Sequence, residues 1–429
     1  MEPEKRPRQL KFSRNEFKPE VSYGNRQICI PMSFDEHQLF SSDRDVARAR
    51  LHELLGIHPE IFPELIVQSG FAFDGHERES ARLPGVRLRR ICTKATGKKV
   101  VFTIRPSGIL PSMVGKTDDV KHGLLMLSRE TPIDLVTDVC GRNDMFWYRL
   151  ISRLGRFSLA GTTLRSAKQL PSHLAADEHH TTVTRIQKVY SCVVATCGVI
   201  VGLALSPTAD EAGLTKGYGQ CKHELQNLNP DYEPCTVNTD GWKATRAAWL
   251  SLFVGVGLVL CFLHGFIKVR DRCRKKYPEL KARIWDAYRA ETSAEFERQL
   301  DALSVWSKEQ DFPSTVQTYV EKLVNLKASY SKSYEHPGCH RTSNMVDRLM
   351  NQLDRVINSG RRLHGHLMSA EYRLRGWALL LNFRPFTRRH QSRQAVQSRS
   401  AAERANQTTY HSDWLQNLYV STSTGGCRI

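Results

Sequence analysis

The stretch from Ala247 to Ile267, AAWLSLFVGVGLVLCFLHGFI, contains no Lys, Arg, Asp or Glu. A run of this length either crosses a bilayer or lies inside a protein core. Gly255 and Gly257 interrupt its middle and His264 stands in its second half. Lys243 and Arg246 precede it and Lys268, Arg270 and Arg272 follow it, so no positive-inside asymmetry would orient it in a membrane. It reads as helix, turn and buried strand. A second apolar run, Val189 to Leu205, splits at Cys197-Gly198 into two halves rich in Val and Ile, the pattern of a hairpin. A membrane-anchored protein is the competing reading, and it predicts a chain that pellets with lipid.

Neighbouring segments extend this pattern into a fold class. HLAADEHH reads as a first strand, with KVYSCVVAT and VIVGLALS as second and third. A helix across Glu211 to Leu228, a strand TVNTD, a helix from Trp242, a strand GLVLCFLH and a helix from about Ile267 follow. Three strands succeeded by alternating helices and strands predict an α/β protein with a mixed sheet covered by helices. Pro278 to Pro337 is helical and polar, with no strand signal, and an amphipathic helix runs from Thr342 through Arg355. After Phe386 the chain is Arg-rich and low in hydrophobicity, and residues 387–429 are expected to be disordered.

Upstream, residues 1–114 are charged and loop-rich, with one hairpin where VRLRRICT and VVFTI flank ATGKK. Within 115–160 the pattern turns helical through DDVKHGLLMLS and then IDLVTDVC, where Thr131 is a candidate cap, Pro132 suits the first helical position and Gly141 ends the helix. In NDMFWYRLISRLGR, capped by Asn143 or Asp144, Phe146, Leu150 and Leu154 share one face while Arg149, Arg153 and Arg156 lie away from it. Two helices across a glycine turn, the second carrying arginines, fit a helix-turn-helix that enters a major groove, and equally an ordinary helical bundle with a basic face. The chain as a whole carries 62 Lys and Arg against 44 Asp and Glu, a net charge of +18, which suits a polyanionic partner. Eleven cysteines without any Cys-x-x-Cys pair are read as reduced thiols. The N-terminal residues have no apolar core of signal-peptide length, so a cytoplasmic protein is expected.

Phosphoryl transfer with two metal ions needs carboxylates from separate strands and a helix to converge on cations about 4 Å apart. Hard, octahedral Mg²⁺ prefers such oxygen ligands. Asp177 in the first strand, LAADEHH, and Asp240 closing TVNTD before Gly241 stand in the required strand order. Each taken singly also fits a turn or capping residue.

TVNTDGWKATRAAWLSLF followed by CFLHGFIKVRDR resembles a block in transposases of bacterial insertion sequences with a DDE or DDD triad. LAADEHHT and RTSNMVDRLM are similar to the first- and third-acid blocks of that family, and the resemblance spans about residues 105–386. It implies an RNase H-like core in two parts, 172–277 and 338–386, interrupted by the helical insertion at 278–337. Asp177, Asp240 and Asp347 then match the three metal-binding, catalytic acids, the third being Glu in most relatives. Glu178, Glu291 and Asp354 are possible substitutes for Asp347. Cys261-x-x-His264 is similar to the Cys-x-x-His signature of Mutator-like transposases; two such residues make no zinc site alone, and packing of the site's floor is the expected role. His336, Cys339 and His340 are a weaker zinc candidate. His364-Gly365 and RGWALLLNF resemble the family's C-terminal block, for which the sequence suggests no physical role.

The resemblance implies Mg²⁺ or Mn²⁺, two ions, as cofactor. Double-stranded DNA is the implied partner, both the terminal inverted repeats and the target, handled by a homodimer or larger assembly at the bacterial nucleoid. The N-terminal region and the helix-turn-helix would bind DNA ends, and Trp285 and Trp306 of the insertion are core residues first and base-stacking candidates second. A catalytically inactive or domesticated transposase-derived DNA-binding protein is the alternative.

Overall fold

Two sheets organise the chain, each built where β-branched and alternating apolar residues fall. The computed structural model describes residues 26–95, 97–184, 187–273, 277–360, 363–389, 391 and 398–426. The first sheet contains β1 (Gln27–Ile30), β2 (Ala72–His76), β3 (Arg89–Ala95) and β4 (Lys98–Pro106), in the order β1-β4-β3-β2. The expected hairpin is its β3–β4 pair, antiparallel from Arg90↔Thr103 to Ala95↔Lys98. Helices α1 (Phe34–Ser42), α2 (Arg44–Ile57) and α3 (Glu64–Ser69) lie between β1 and β2. A reciprocal capping box starts α1, with Ser33 Oγ accepting from the Glu36 N–H and Glu36 accepting from that of Ser33.

Three helices follow, α4 (Lys121–Ser128), α5 (Ile133–Cys140) and α6 (Asp144–Leu154), then the short α7 (Leu159–Thr163). Asn143 caps α6 through its side chain, accepting from Phe146 N at 2.8 Å. The expected cap on α5 differs: Thr131 does not serve, Pro132 occupies the cap position, and no side-chain bond is made there. Trp147, Leu150, Ile151 and Leu154 of α6 are buried in one continuous apolar cluster with Ile28, Leu51, Ala175, Leu353 and Trp377. Segment 115–160 therefore shares a core with the elements before and after it.

The second sheet has β5 (His173–Val183), β6 (Gln187–Thr196), β7 (Val199–Ser206), β8 (Thr236–Thr239) and β9 (Gly257–Leu260), in the order β7-β6-β5-β8-β9. β5, β6 and β7 pair antiparallel; β8 joins β5 parallel, and β9 joins β8 parallel. Helices α8 (Glu211–Gln226) and α9 (Lys243–Leu252) cover the face carrying Leu174, Ala176, Cys192 and Val194. The opposite face, with Ala175, Val193 and Ala195, meets α15 (Asn344–Ser359) and α16 (Leu367–Phe383). This is the period-two alternation of a sheet covered on both sides. The uncharged run resolves into α9, β9 and α10 (Phe262–Cys273), which begins earlier than Ile267. No described helix is long and apolar enough to cross a membrane. Helices α11 (Pro278–Arg289), α12 (Ser293–Lys308), α13 (Ser314–Asn325) and α14 (Lys327–Ser331) enclose, with α10, a core of their own around Phe266, Leu280, Phe296 and Val320.

Helix α16 is the pillar that binds these parts together, which supplies the role the sequence left open for RGWALLLNF. Gly376 faces Gly155 at the end of α6. A Cβ on Gly376 would strike the Ile151 carbonyl, and one on Gly155 the Tyr372 carbonyl, so the two backbones can touch only because both residues are glycine. Arg375 is buried and donates to the carbonyls of Gly155, Leu203 and Phe157 and to Glu224 Oε1 at 2.6 Å. Glu224 on α8 also accepts from Ser158 Oγ and from the backbone N–H groups of Leu159 and Ala160. Asn382 brackets β7 by donating to the Ile200 carbonyl and accepting from the Ile200 N–H.

The disorder expected of 387–429 is overturned for the residues described there. Helices α17 (Ala401–Asn406) and α18 (Trp414–Ser421) are ordered, and Leu415, Leu418, Tyr419 and Val420 are buried. Ser423 Oγ accepts from Cys29 N at 3.0 Å, a link across 394 positions of sequence. Low mean hydropathy concealed a short apolar segment whose partners, β1 and α16, lie far away in the chain.

Candidate active site

Asp177 lies in β5 and Asp240 directly follows β8. Because Ala175 pairs with Asn238 in parallel register, these acids, each two residues further on, lie level with one another, Asp177 within β5 and Asp240 just past the end of β8. Helix α15 supplies the third. Its course along β5 is marked by Met345 Sδ accepting from Gly198 N at 3.0 Å, by His179 Nε2 lying 3.4 Å from Asp354 Oδ1, and by Leu363 bridging to Val183 beyond its end. Asp347 sits in its first turn.

Each acid is anchored locally through one oxygen. Asp177 Oδ1 accepts from Glu178 N at 2.9 Å, Asp240 Oδ1 from Trp242 N at 2.9 Å, and Asp347 Oδ2 from Ser343 Oγ at 3.0 Å. Between Asp240 and Trp242, Gly241 takes φ +89°, and a Cβ there would meet Leu260. Only glycine turns the chain tightly enough at that point to bring a helix start straight after the acid.

The electrostatics of the two acids follow from that register. Burial pushes the Asp177 carboxyl up to about 7; the charges of Asp240 and Glu178 add to this, while the Glu178 N–H and His264 oppose it. His264, in the first turn of α10, is raised to about 9, first by the Cys261 thiol and further by Asp347 and Asp177, against its own burial. One imidazole thus feels both the first and the third acid. Cys261 is buried at the end of β9, where its Sγ accepts from Ser343 N at 3.1 Å and lies 3.2 Å from Ser343 Oγ. The Cys-x-x-His pair joins strand β9 to the N-terminus of α15, and so to Asp347, and is not confined to a strand end as expected.

The substitutes for Asp347 are differently engaged. Glu178 points to the opposite side of the sheet, accepting from Tyr218 Oη at 2.7 Å and Thr245 Oγ1 at 2.6 Å. Asp354 pairs with His179 and accepts from Asn358, and Glu291 is exposed ahead of α12. Ser343 and the Glu178–Tyr218–Thr245 cluster were not singled out from sequence. A serine four residues ahead of a helical acid, matching the i,i+4 reach of one turn, was the available signal for the former.

Among the described residues no three His, Cys, Asp or Glu side chains are gathered tightly enough to hold a metal ion between them. That includes His336, Cys339 and His340; Cys339 Sγ instead donates to the Ser333 carbonyl. The donor set at Asp177, Asp240 and Asp347 nonetheless fits a hard cation in chemistry. It is all carboxylate, the oxygen-donor chemistry that such a cation prefers.

Arg149, Arg153 and Arg156 are exposed along and just after α6. Arg156 lies over the Tyr372 ring at 5.5 Å. Trp285 and Trp306 are half-buried in the helical insertion, packed on Phe266 and Phe312 respectively, in agreement with a core role. No protein-family model and no curated protein matches this sequence.

Proposed function

We propose that this protein is a metal-dependent DNA strand-transfer enzyme, a transposase acting at the ends of a bacterial insertion sequence, with an RNase H-like core. The observations that carry the reading are that Asp177 and Asp240 lie level on adjacent parallel strands and that His264 feels the charges of both Asp177 and Asp347, the latter in the first turn of a covering helix. The sheet order, three antiparallel strands followed by two parallel ones, supports the core assignment.

Asp177, Asp240 and Asp347 would hold two Mg²⁺ or Mn²⁺ ions, which when bound supply activation of a hydroxyl nucleophile and charge stabilisation at phosphorus. Ser343 and Cys261 hold the N-terminus of α15 in position. Arg149, Arg153 and Arg156 would contact phosphates and set the register of the duplex, with α5 and α6 acting as the helix-turn-helix. Joining two DNA ends calls for a dimer or larger assembly, working at the nucleoid.

The test is cleavage and strand transfer on end-containing DNA with Mg²⁺ or Mn²⁺. Asp177→Asn and Asp240→Asn are expected to abolish both activities. Full activity in either variant would rule out the site. DNA binding without nicking by the unaltered protein would instead favour an inactive, transposase-derived DNA-binding protein.

A further inference from the structure

Of the exposed large apolar side chains among the described residues, Trp242 is the only aromatic, with 37% of its surface accessible. Trp147, Trp249 and Trp377 are buried, and Trp285, Trp306 and Trp414 are partly buried against apolar clusters. An indole with more than a third of its surface in water forgoes part of the burial that stabilises most tryptophans, and its backbone position here is tightly defined. Its backbone N–H is held by Asp240 Oδ1, and the glycine turn before it is backed by Leu260.

Trp242 also does not stand alone. Strands β5 and β6 continue past the end of β8, so His180 and Tyr190 project beside the Asp240 turn. The His180 ring lies 6.1 Å from Trp242 and 4.8 Å from Tyr190. His180 is exposed, as are Lys243 and Arg246 in the first turn of α9. An open aromatic ledge flanked by two cations, immediately after a carboxylate, has the composition of a single-strand contact: π-faces for bases and positive charge for the backbone.

The geometry points to Trp242, backed by His180, as a stacking platform for one unpaired DNA base beside Asp240. It rests on the strand-transfer reading for its location and specifies what that site does with the strand. A duplex offers its base faces only at its ends, whereas a strand opened at a cut can lay a base on the indole. The platform therefore gives the site a preference for unpaired over paired nucleotides, a substrate property that the three acids do not supply. Trp242 is a positioning residue, in contact with a nucleotide next to the reacting one.

The experiment measures binding by fluorescence anisotropy in EDTA, so that metal chemistry plays no part. Three probes of equal length are compared: a labelled single strand of mixed sequence, the same strand in a blunt duplex, and an abasic strand. Trp242→Ala is expected to weaken binding of the base-bearing single strand by roughly five- to a hundredfold, the range for loss of one stacking partner. The duplex and the abasic strand should bind as before, and Trp242→Phe should retain most of the single-strand affinity. Unchanged binding of all three probes would overturn the proposal, and so would an equal loss on all three, which marks a general defect. Should Asp177→Asn retain cleavage while Trp242→Ala shows the selective loss, the catalytic reading fails and the platform stands.

Discussion

Replacing Arg375 by Met tests whether α16 joins the parts of the protein as described. The guanidinium is 3% exposed and its partner Glu224 6%, so neither charge has water to fall back on. Met keeps an unbranched apolar stem but ends short of the guanidinium and carries no donor, so the substitution leaves the Glu224 carboxylate buried without its cation. The carbonyls of Gly155, Leu203 and Phe157 lose a donor as well. Breaking one side of a buried pair typically costs about 3–5 kcal/mol, and orphaned carbonyls add to it at about 1–3 kcal/mol each, less than additively since they share one donor. Part is recovered because Glu224 keeps Ser158, Leu159, Ala160 and Gln220 as donors. A net loss of about 4 kcal/mol, or roughly a thousandfold in the folding equilibrium, is expected from chemical denaturation. Adding Glu224→Leu to Arg375→Met should restore a substantial share of that loss, since removing both partners avoids the buried unpaired charge. The reasoning is refuted if Arg375→Met costs under about 1 kcal/mol, or if the double variant is destabilised by the sum of the two single changes.

Two further outcomes follow from the same structure. Asp347→Asn should lower metal-dependent cleavage by at least about 100-fold, the scale of losing a group that stabilises developing charge, whereas Asp354→Asn should leave it near the unaltered level because Asp354 is turned to His179 and Asn358. The reverse ranking, measured on one DNA substrate, would transfer the third acid to Asp354. Leu418→Ala in the C-terminal helix, where Leu418 is fully buried, should destabilise the fold by about 2–5 kcal/mol. A disordered tail would show no change in the denaturation midpoint.

Much of the second sheet was legible because its strands announce themselves locally. The break at Cys197-Gly198 is where β6 turns into β7, and TVNTD holds β8 with Asp240 at its end. Asp240 was legible for the same reason, since a strand-end carboxylate before a glycine turn is a local pattern, whereas Asp177 lies inside β5, which runs on to Val183. The site's remaining parts were not. Ser343 becomes relevant only when β9 delivers Cys261 to it, and Trp242 looks like any other core tryptophan in sequence, since exposure is not written in a residue's type. The cap at Thr131 failed because Pro132 takes the cap position itself, leaving α5 to start at Ile133.

What the amino-acid sequence decides on its own is the set of elements and the face each would bury: period two in β5 to β7, helical spacing in α6 and α15, glycine at the turns of Gly198 and Gly241. These depend on neighbours within a few residues. Only the tertiary structure decides which distant groups meet. Arg375 finds Glu224 and Ser423 finds Cys29 across long loops, and an apparently polar tail becomes core because burial depends on the surface a segment lands against. The third acid's place beside His264 is of the same kind, set by how α15 packs along β5 and by no feature within RTSNMVDRLM itself.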